Sequence, residues 1–506
     1  MPSVTIEPPY YPIIYVRGYA GSEDAVEETV ATPYMGFNLG STKVRQRWDK
    51  TVQRFIFESP LVRLMKDYDY RDVYIGGDEG YLHDSIGPKS VIIYRYYDQV
   101  SRELNPDAER PDIPIYAEGL GKLIEQVRDS VCGDDEAARR AFRVYLVAHS
   151  MGGLICRCLL QNPNVASEET RRLVDKVFTY ATPHNGIDVR ILGNVPGFFS
   201  RNNVNNFNRR KMADYLALPP DSERVDSLDG KFDPERFFSL VGTSSKDYEV
   251  AAGWSRRAVG PMSDGLVQIE NATVRGTPRA FVYRSHSGHY GIVNSEEGYQ
   301  NLVRFLFGDV RVDGVLEVFE LALPPRVEQA LRDGKRVRAS YYFETAVRVR
   351  GARYDLHRRF FDEGSAILRT FDELLRPADG PRHPHLFSVF LSARNRTKRG
   401  TGPLVFSVDV AVRVPEYEVD HQLRIDDHIE GSYLFRDTLT LEAVPPADEQ
   451  APWTIRYGYD SRTPGRATRD ARATQTDGGV EFRVPIQSSS RPGIRAELVL
   501  KARAWN

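Results

Sequence analysis

Between residue 13 and about residue 308, short apolar runs alternate with stretches in which apolar side chains recur at helical spacing. The runs predict strands at 13–16, 91–94, 144–147, 177–180, 237–241 and 280–283. The helical spacing is clearest at 120–131, 154–159 and 299–305. Apolar strands separated by helices are typical of a parallel sheet that is covered on both faces. We therefore predict an α/β fold with a mainly parallel central sheet.

Two stretches interrupt this alternation. Residues 34–85 carry Trp48, Phe55, Leu61 and Leu64, which we interpret as a helical insertion. Residues 187–230 begin with apolar side chains and continue as a run rich in Asn and Arg. Long insertions over a sheet often form lids or binding loops, so we predict caps at both places. A structural cap that never moves is the alternative for either one.

The pattern changes after Gly308, where apolar and polar residues alternate with a period of two. The alternation is regular from Phe406 to Val414, and 337–349 and 498–505 also have the composition of strands. Because successive side chains of a strand point to opposite faces, this period indicates strands with one buried face. We predict a catalytic domain at 1–309 and a β-rich, sandwich-like accessory domain at 310–506, whose partner the sequence does not identify.

Composition narrows the class of protein. The 506 residues have a formal net charge of -2, which gives no reason to expect a nucleic-acid partner. The first residues lack a signal-peptide pattern, and no run reaches the roughly 18 apolar residues that span a bilayer. The cysteines Cys132, Cys156 and Cys158 are too few for a disulfide framework. We expect reduced thiols and a cytoplasmic location, with leaderless export as the alternative.

One serine lies where a strand turns into a helix. The strand at 144–147 leads into Ala-His-Ser-Met-Gly-Gly at 148–153, and a helical pattern follows. A reversal this sharp needs small residues around its centre, and Ala148 and Gly152 supply them. Ser150 would then stand clear of the sheet, and the Met151 N–H would face a developing oxyanion. The alternative is a serine that only caps the helix.

A serine nucleophile needs a base and an acid, which follow it in the chain as acid and then histidine. Asp264 lies in a loop after the strand ending at Val241, where a strand-end acid is expected, and Asp247 is its rival. Two histidines follow the last strand. We favour His289 as the base because the next helix follows it closely, and His286 is the alternative base.

A second oxyanion donor is expected in the loop after the first strand. That loop reads Val-Arg-Gly-Tyr-Ala-Gly at 16–21, and its glycines allow the backbone to approach a substrate. We predict the backbone N–H of Tyr19 as this donor, together with that of Met151. A plain turn is the alternative.

These segments together resemble a known group of enzymes. The run at 148–153 is similar to the elbow of bacterial lipases of the α/β-hydrolase fold. Ala-Thr-Pro-His-Asn-Gly at 181–186 resembles a segment shared with GPI-inositol deacylase-like and lecithin:cholesterol acyltransferase-like hydrolases. Residues 263–267 and 288–292 are similar to the acid and base segments of that group. The resemblance covers roughly residues 10–308 and leaves the C-terminal region unassigned.

The resemblance implies an α/β-hydrolase fold with a Ser150, Asp264 and His289 triad, and oxyanion donors at Tyr19 and Met151. It also implies a small-molecule or lipid ester as substrate, with a lipid surface as a candidate partner. One departure is that the usual His-Gly of the oxyanion loop is Arg17-Gly18 here. Backbone donors survive this change, and we expect the arginine either to alter the acyl pocket or to bind an anionic group, so the resemblance constrains the substrate less.

The sequence thus predicts a serine hydrolase that cleaves carboxylic esters through an acyl-enzyme, with neither a metal nor an organic cofactor. An acyltransferase using the same triad is one alternative, in which an alcohol replaces water. A binding or scaffold protein with an inert hydrolase domain is the other. We expect covalent labelling of Ser150 to separate the enzymes from the scaffold.

Overall fold

A computed structural model gives the fold of the chain in two compact units. One unit comprises residues 1–279 and 284–307, and the other comprises 280–283 and 308–506. The structure describes residues 5–18, 23–31, 34–46, 49–73, 86–101, 111–187, 205–245, 262–288, 290–376, 380, 382–397, 402–420, 427–444 and 453–506. Within these ranges no helix is both long and apolar enough to cross a membrane.

Parallel strands form a sheet at the centre of the first unit. The strands up to residue 282 are β1 Ile13–Val16, β2 Ser41–Gln46, β3 Val52–Phe57, β4 Arg71–Asp72, β5 Ser90–Tyr94, β6 Val144–His149, β7 Val174–Tyr180, β8 Phe237–Gly242 and β9 Arg279–Val282. Their order in the sheet is β4-β5-β1-β6-β7-β8-β9, and the pairs from β4 to β8 are parallel. Strands β1 and β8 are buried along their whole length, as their unbroken apolar sequences predict.

Helices follow most of these strands. They are α1 Glu23–Val30, α2 Pro60–Tyr68, α3 Ile113–Cys132, α4 Glu136–Ala141, α5 Met151–Gln161, α6 Glu168–Arg172, α7 Arg209–Tyr215 and α8 Glu296–Phe307. Short 3-10 turns occur at Tyr96–Val100, Asn205–Phe207, Pro234–Arg236 and Ile269–Asn271. In α3 the predicted apolar positions, Leu120, Leu123, Ile124 and Val127, are all buried. The structure confirms the predicted parallel α/β core.

The insertion at 34–85 is helical only in part. Strands β2 and β3 form an antiparallel hairpin before the helix α2 begins. Val44 and Val52 each lie between polar residues, and residues 55–57 form a short run of aromatic and β-branched side chains, a composition that suits a strand. The helical interpretation was therefore wrong for 41–57. In the other insertion, residues 188–204 lie outside the described residues, and helix α7 follows them.

Antiparallel sheets make up the second unit. The strands after residue 308 are β10 Val310–Ala322, β11 Val337–Val349, β12 His357–Arg359, β13 Ile367–Thr370, β14 His385–Leu391, β15 Leu404–Val419, β16 Asp427–Val444, β17 Thr454–Tyr459, β18 Arg469–Asp470, β19 Arg472–Thr476, β20 Gly479–Gln487 and β21 Gly493–Ala504, with helices α9 Pro325–Arg332 and α10 Phe371–Leu375. One sheet has the order β14-β10-β21-β20-β19, and the other has β12-β11-β15-β16-β17-β18 with β13 on β11. Both contribute to a single apolar core, so the predicted β-rich region is confirmed.

Candidate active site

Ser150 occupies the turn between strand β6 and helix α5. Its backbone has φ 54° and ψ −125°, a conformation that costs an L-residue free energy. The turn is held from outside, since the Ser150 N–H donates to the Tyr180 carbonyl over 2.9 Å. Its own carbonyl accepts from the Thr182 hydroxyl at 2.8 Å and from the Gly153 N–H at 3.1 Å. The strained backbone and its supports match the predicted elbow.

Two glycines allow the elbow to press against the end of strand β1. A Cβ on Gly18 would lie 2.6 Å from the Ser150 Cβ, and one on Gly152 would lie 2.3 Å from the Val16 carbonyl oxygen. Neither contact could be relieved without moving backbone. The sharp turn already called for a small residue at position 152. The structure adds a second reason, which is the close approach of strand β1.

Ser150, His286 and Asp264 form a continuous line of hydrogen bonds. The Ser150 Oγ lies 3.1 Å from His286 Nε2, and His286 Nδ1 lies 2.9 Å from Asp264 Oδ2. All three side chains are buried. Because a carboxylate oxygen only accepts, Nδ1 carries the proton and Nε2 accepts from the serine hydroxyl. The arrangement can transfer the serine proton to an imidazole that the carboxylate orients.

Asp264 is fixed by its own loop. Its Oδ1 accepts from the N–H groups of Leu266 at 3.0 Å and Val267 at 2.8 Å, which leaves Oδ2 for the histidine. Gly265 follows with φ 101°, in the region that favours glycine. The sequence Ser-Asp-Gly-Leu-Val thus folds into a turn that holds the carboxylate from behind. The rival acid, Asp247, lies outside the described residues.

His286, the alternative base of the sequence analysis, makes both hydrogen bonds. His289, the histidine favoured there, lies outside the described residues. His286 is brought to the acid by backbone pairing, since its N–H donates to the Asp264 carbonyl over 3.0 Å. Closeness to the end of strand β9 was the sequence signal in its favour.

Of the two predicted oxyanion donors, Met151 opens helix α5 with an N–H that has no intrahelical partner, and Tyr19 lies outside the described residues.

A second histidine, His149, supports the first. Its Nε2 lies 3.0 Å from the His286 carbonyl oxygen, which requires an Nε2–H donor, and the two ring centroids are 5.0 Å apart. Burial, and then the nearby His286, lower the pKa of His149 to about 3. His149 is therefore neutral at physiological pH. Sequence reasoning assigned it no role, because nothing in the sequence shows which loop its ring contacts.

A cavity of about 330 Å³ adjoins this group. His286 and His149 line it together with Arg17, and Leu39 and Asn294 belong to its rim. The hairpin of β2 and β3 is attached next to it, since the Ser41 hydroxyl donates to the Asn294 carbonyl over 2.9 Å. His286 and Arg17, the residue that departs from the family pattern, therefore line the same cavity.

One family of known proteins resembles the part of the chain that contains Ser150. A family model described as a PGAP1-like alpha/beta domain matches residues 116–260, which include the elbow and the strands on both sides of it. The match agrees with the parallel sheet order and with the strained serine turn. The family match and the parallel sheet support an α/β-hydrolase superfamily for this chain. At this coarse level the family match supports a hydrolase.

Solved structures resemble this α/β-hydrolase only distantly. The mature form of lipase BlEst2 from Bacillus licheniformis is 16% identical with a TM-score of 0.32, over 60% of this chain and 94% of that one. The propeptide form is 11% identical with a TM-score of 0.33, over 90% and 97%. Phospholipase PlaB from Legionella pneumophila is 12% identical with a TM-score of 0.31, over 83% and 91%. No curated protein matches the chain. The superfamily assignment depends on the family match and on the fold of this chain, and not on these structures.

The segment 181–186 supports the elbow of this α/β-hydrolase and does not take part in the line of hydrogen bonds. Thr182 holds the Ser150 carbonyl, and the His184 carbonyl accepts from the buried Arg157 of helix α5 at 2.8 Å. The Arg157 guanidinium also donates to the carbonyls of Val225 and Ser227, each at 2.7 Å. Through these hydrogen bonds the fully buried Arg157 links helix α5 to the segment 181–186 and to residues 225–227.

The second unit contains a group of side chains that could bind a metal ion. Glu416, Glu418 and His428, on strands β15 and β16 of the second unit, bring ligand atoms within 4.8 Å of one another. His428 Nδ1 lies 2.9 Å from a Glu416 carboxylate oxygen, and Arg338 forms an ion pair with Glu418. The cluster is largely exposed and its charges are already partnered. The expectation that catalysis needs no metal remains a prediction.

Proposed function

We propose that this α/β-hydrolase is a serine esterase that cleaves carboxylic esters through a Ser150–His286–Asp264 triad. The observation that carries the proposal is the unbroken sequence of hydrogen bonds, 3.1 Å from Oγ to Nε2 and 2.9 Å from Nδ1 to Oδ2. The strained backbone at Ser150 supports it, because such strain persists where the surrounding structure maintains it for function. The first unit would then be the catalytic domain, predicted at 1–309.

The expected reaction has two stages. The Ser150 oxygen attacks the ester carbonyl while His286 Nε2 takes its proton, and Asp264 stabilises the resulting imidazolium. The tetrahedral intermediate collapses, the bond to the alcohol breaks, and Nε2–H delivers the proton to the leaving oxygen. Water then attacks the acyl-enzyme carbonyl while Nε2 takes its proton, the bond to the Ser150 oxygen breaks, and Nε2–H returns the proton to that oxygen as the acid leaves. The Met151 N–H, together with that of Tyr19, would donate to the oxyanion in both stages.

We assign the base to His286 instead of His289. Its imidazole already lies between the nucleophile and the acid, and a general base must be within hydrogen-bonding reach of the proton it takes. Replacing each histidine separately by glutamine tests the assignment. His286→Gln should abolish ester turnover, whereas His289→Gln should retain most of it. The reverse outcome would return the base to His289.

A lipid ester is the proposed class of substrate, and the β2–β3 hairpin is the supporting feature. Val44, Val52 and Ile56 are 56%, 59% and 77% exposed. The register pairs Thr42 with Ile56 and Gln46 with Val52, so these three side chains share one face. The hairpin sequence 41–57 contains five Lys or Arg and one Asp. An apolar face with basic neighbours suits an anionic lipid surface, which we propose as its occupant.

The decisive experiment combines labelling with substrate turnover. A fluorophosphonate should label the wild-type protein and fail to label Ser150→Ala, while Ser227→Ala, a serine outside the triad, should label normally. A panel of p-nitrophenyl esters from acetyl to palmitoyl then gives the acyl preference. Absence of both labelling and turnover would support the inert scaffold. Ester formation with an added alcohol, in preference to hydrolysis, would identify an acyltransferase instead.

A further inference from the structure

Arg17 lines the cavity together with His149 and His286. It is held in place by a hydrogen bond from Nη1 to the Met35 carbonyl. Gly36, with φ 82°, allows this approach, since a Cβ there would lie 2.3 Å from Arg17 Nη1. The chain therefore forms a turn around the guanidinium and fixes its position within the cavity.

In the part of the chain that the structure describes, Arg17 has no carboxylate within ion-pair distance. Among the ion pairs of the described ranges, none joins Arg17 to a carboxylate within 4.0 Å, and the Met35 carbonyl takes up one of its five N–H donors. Burial lowers the pKa of Arg17, and the nearby Tyr97, Tyr96 and Glu28 oppose that change only in part. A half-buried cation that pairs with no carboxylate attracts an anion, because removal of its hydration is not compensated.

We propose that Arg17 makes this cavity a subsite for an anionic oxygen group, a carboxylate or a phosphate, carried by the ester substrate. The inference rests on the proposed esterase function. A guanidinium binds either group through paired hydrogen bonds in a fixed planar geometry. The cavity shares His286 with the triad, so a substrate whose ester reaches Ser150 would have this cavity beside its reacting end. Its volume of about 330 Å³ suits a small head group or a short acid.

Matched ester pairs test the subsite. For charge on the acyl side, p-nitrophenyl pentanoate is compared with mono-p-nitrophenyl glutarate. For charge on the alcohol side, butyrylglycerol is compared with butyrylglycerol phosphate. The quantity measured is the ratio of kcat/KM for the charged over the neutral member, in the wild type, Arg17→Met, Arg17→Lys and Arg236→Met. Arg236, which pairs with Asp175, serves as the control for loss of one positive charge.

The expected result is a ratio that falls about 10- to 100-fold in Arg17→Met for one of the two pairs, mainly through KM. Arg17→Lys should keep part of the ratio, and Arg236→Met all of it. The pair that responds distinguishes an acidic acyl group from a phosphorylated alcohol. An unchanged ratio in both pairs, with Ser150-dependent turnover present, overturns the subsite and leaves the esterase standing.

If no ester is turned over, the proposed function fails and calorimetry decides the subsite separately. Glutarate and glycerol phosphate are titrated into the wild type and into Arg17→Met. Binding of either one that is lost in Arg17→Met supports the subsite. Failure of both to bind the wild type, or binding that Arg17→Met retains, overturns it.

Discussion

Asp264 and His286 are joined twice, once through the backbone and once through the side chains. The His286 N–H donates to the Asp264 carbonyl over 3.0 Å, and His286 Nδ1 lies 2.9 Å from Asp264 Oδ2. Gly242, at the end of strand β8, makes room for both loops, since a Cβ there would lie 2.9 Å from the Asp264 Cβ and 2.6 Å from the Arg284 carbonyl oxygen. The acid and the imidazole are therefore held together without a substrate.

Replacing Asp264 by Asn should impair catalysis far more than folding. The amide oxygen can still accept from Leu266 and Val267, but the amide nitrogen then faces Nδ1 and favours the tautomer with Nε2 protonated. Serine proton transfer is lost, so we expect kcat to fall roughly 10³- to 10⁴-fold. Stopped assays with a soluble p-nitrophenyl ester measure this, with the exposed Asp229→Asn as control. A loss below tenfold would contradict the role of Asp264.

His149 should make stability depend on pH in the acid range. Its pKa is about 3 in the folded chain against about 6.5 in the unfolded one, so only the unfolded chain binds the proton between these values. Stability is then lost as pH falls, by about 2 kcal/mol from this residue between pH 7.5 and pH 5. Urea unfolding of the wild type and His149→Gln at both pH values measures it. The same decrease in both proteins would exclude His149 as the cause.

Arg157 should contribute strongly to the stability of the first unit. It is fully buried and donates to the carbonyls of His184, Val225 and Ser227 and to the Gln161 side chain. Arg157→Met leaves buried carbonyls without donors, and we expect a loss of about 3 to 5 kcal/mol in unfolding free energy. Chemical denaturation checks this against Arg236→Met, which removes a partly exposed arginine and should cost less than about 1 kcal/mol. Equal losses would show that burial of the cation is unimportant.

The hairpin face should control access to aggregated substrate. The double variant Val44→Asp with Ile56→Asp places two carboxylates on the exposed apolar face and should repel an anionic surface. We expect binding to phosphatidylglycerol vesicles, and turnover of an emulsified ester, to fall at least tenfold. Turnover of a dissolved short-chain ester should change less than twofold. Ile115→Asp, at another exposed apolar position, is the control. Vesicle binding that the double variant retains would contradict the proposed lipid contact.

Local sequence predicted most elements of the fold. Strand β1 begins and ends where its apolar run does, and β11 spans the predicted 337–349. The elbow could also be predicted from the sequence, because the small residues, the central serine and the following helix are adjacent in the chain. The hairpin at 41–57 was missed, because the contiguous apolar residues at 55–57 do not by themselves distinguish a strand from a helix.

The sequence by itself determined the fold class, the position of Ser150 and the loop that holds Asp264, because each depends on neighbours within a few residues. The tertiary structure decided which histidine meets the serine, since that depends on pairing between loops that are 22 residues apart. It also decided the roles of His149 and Arg17. Their contacts come from segments that the sheet order brings together, and the spacing of residues along the chain does not encode those distances.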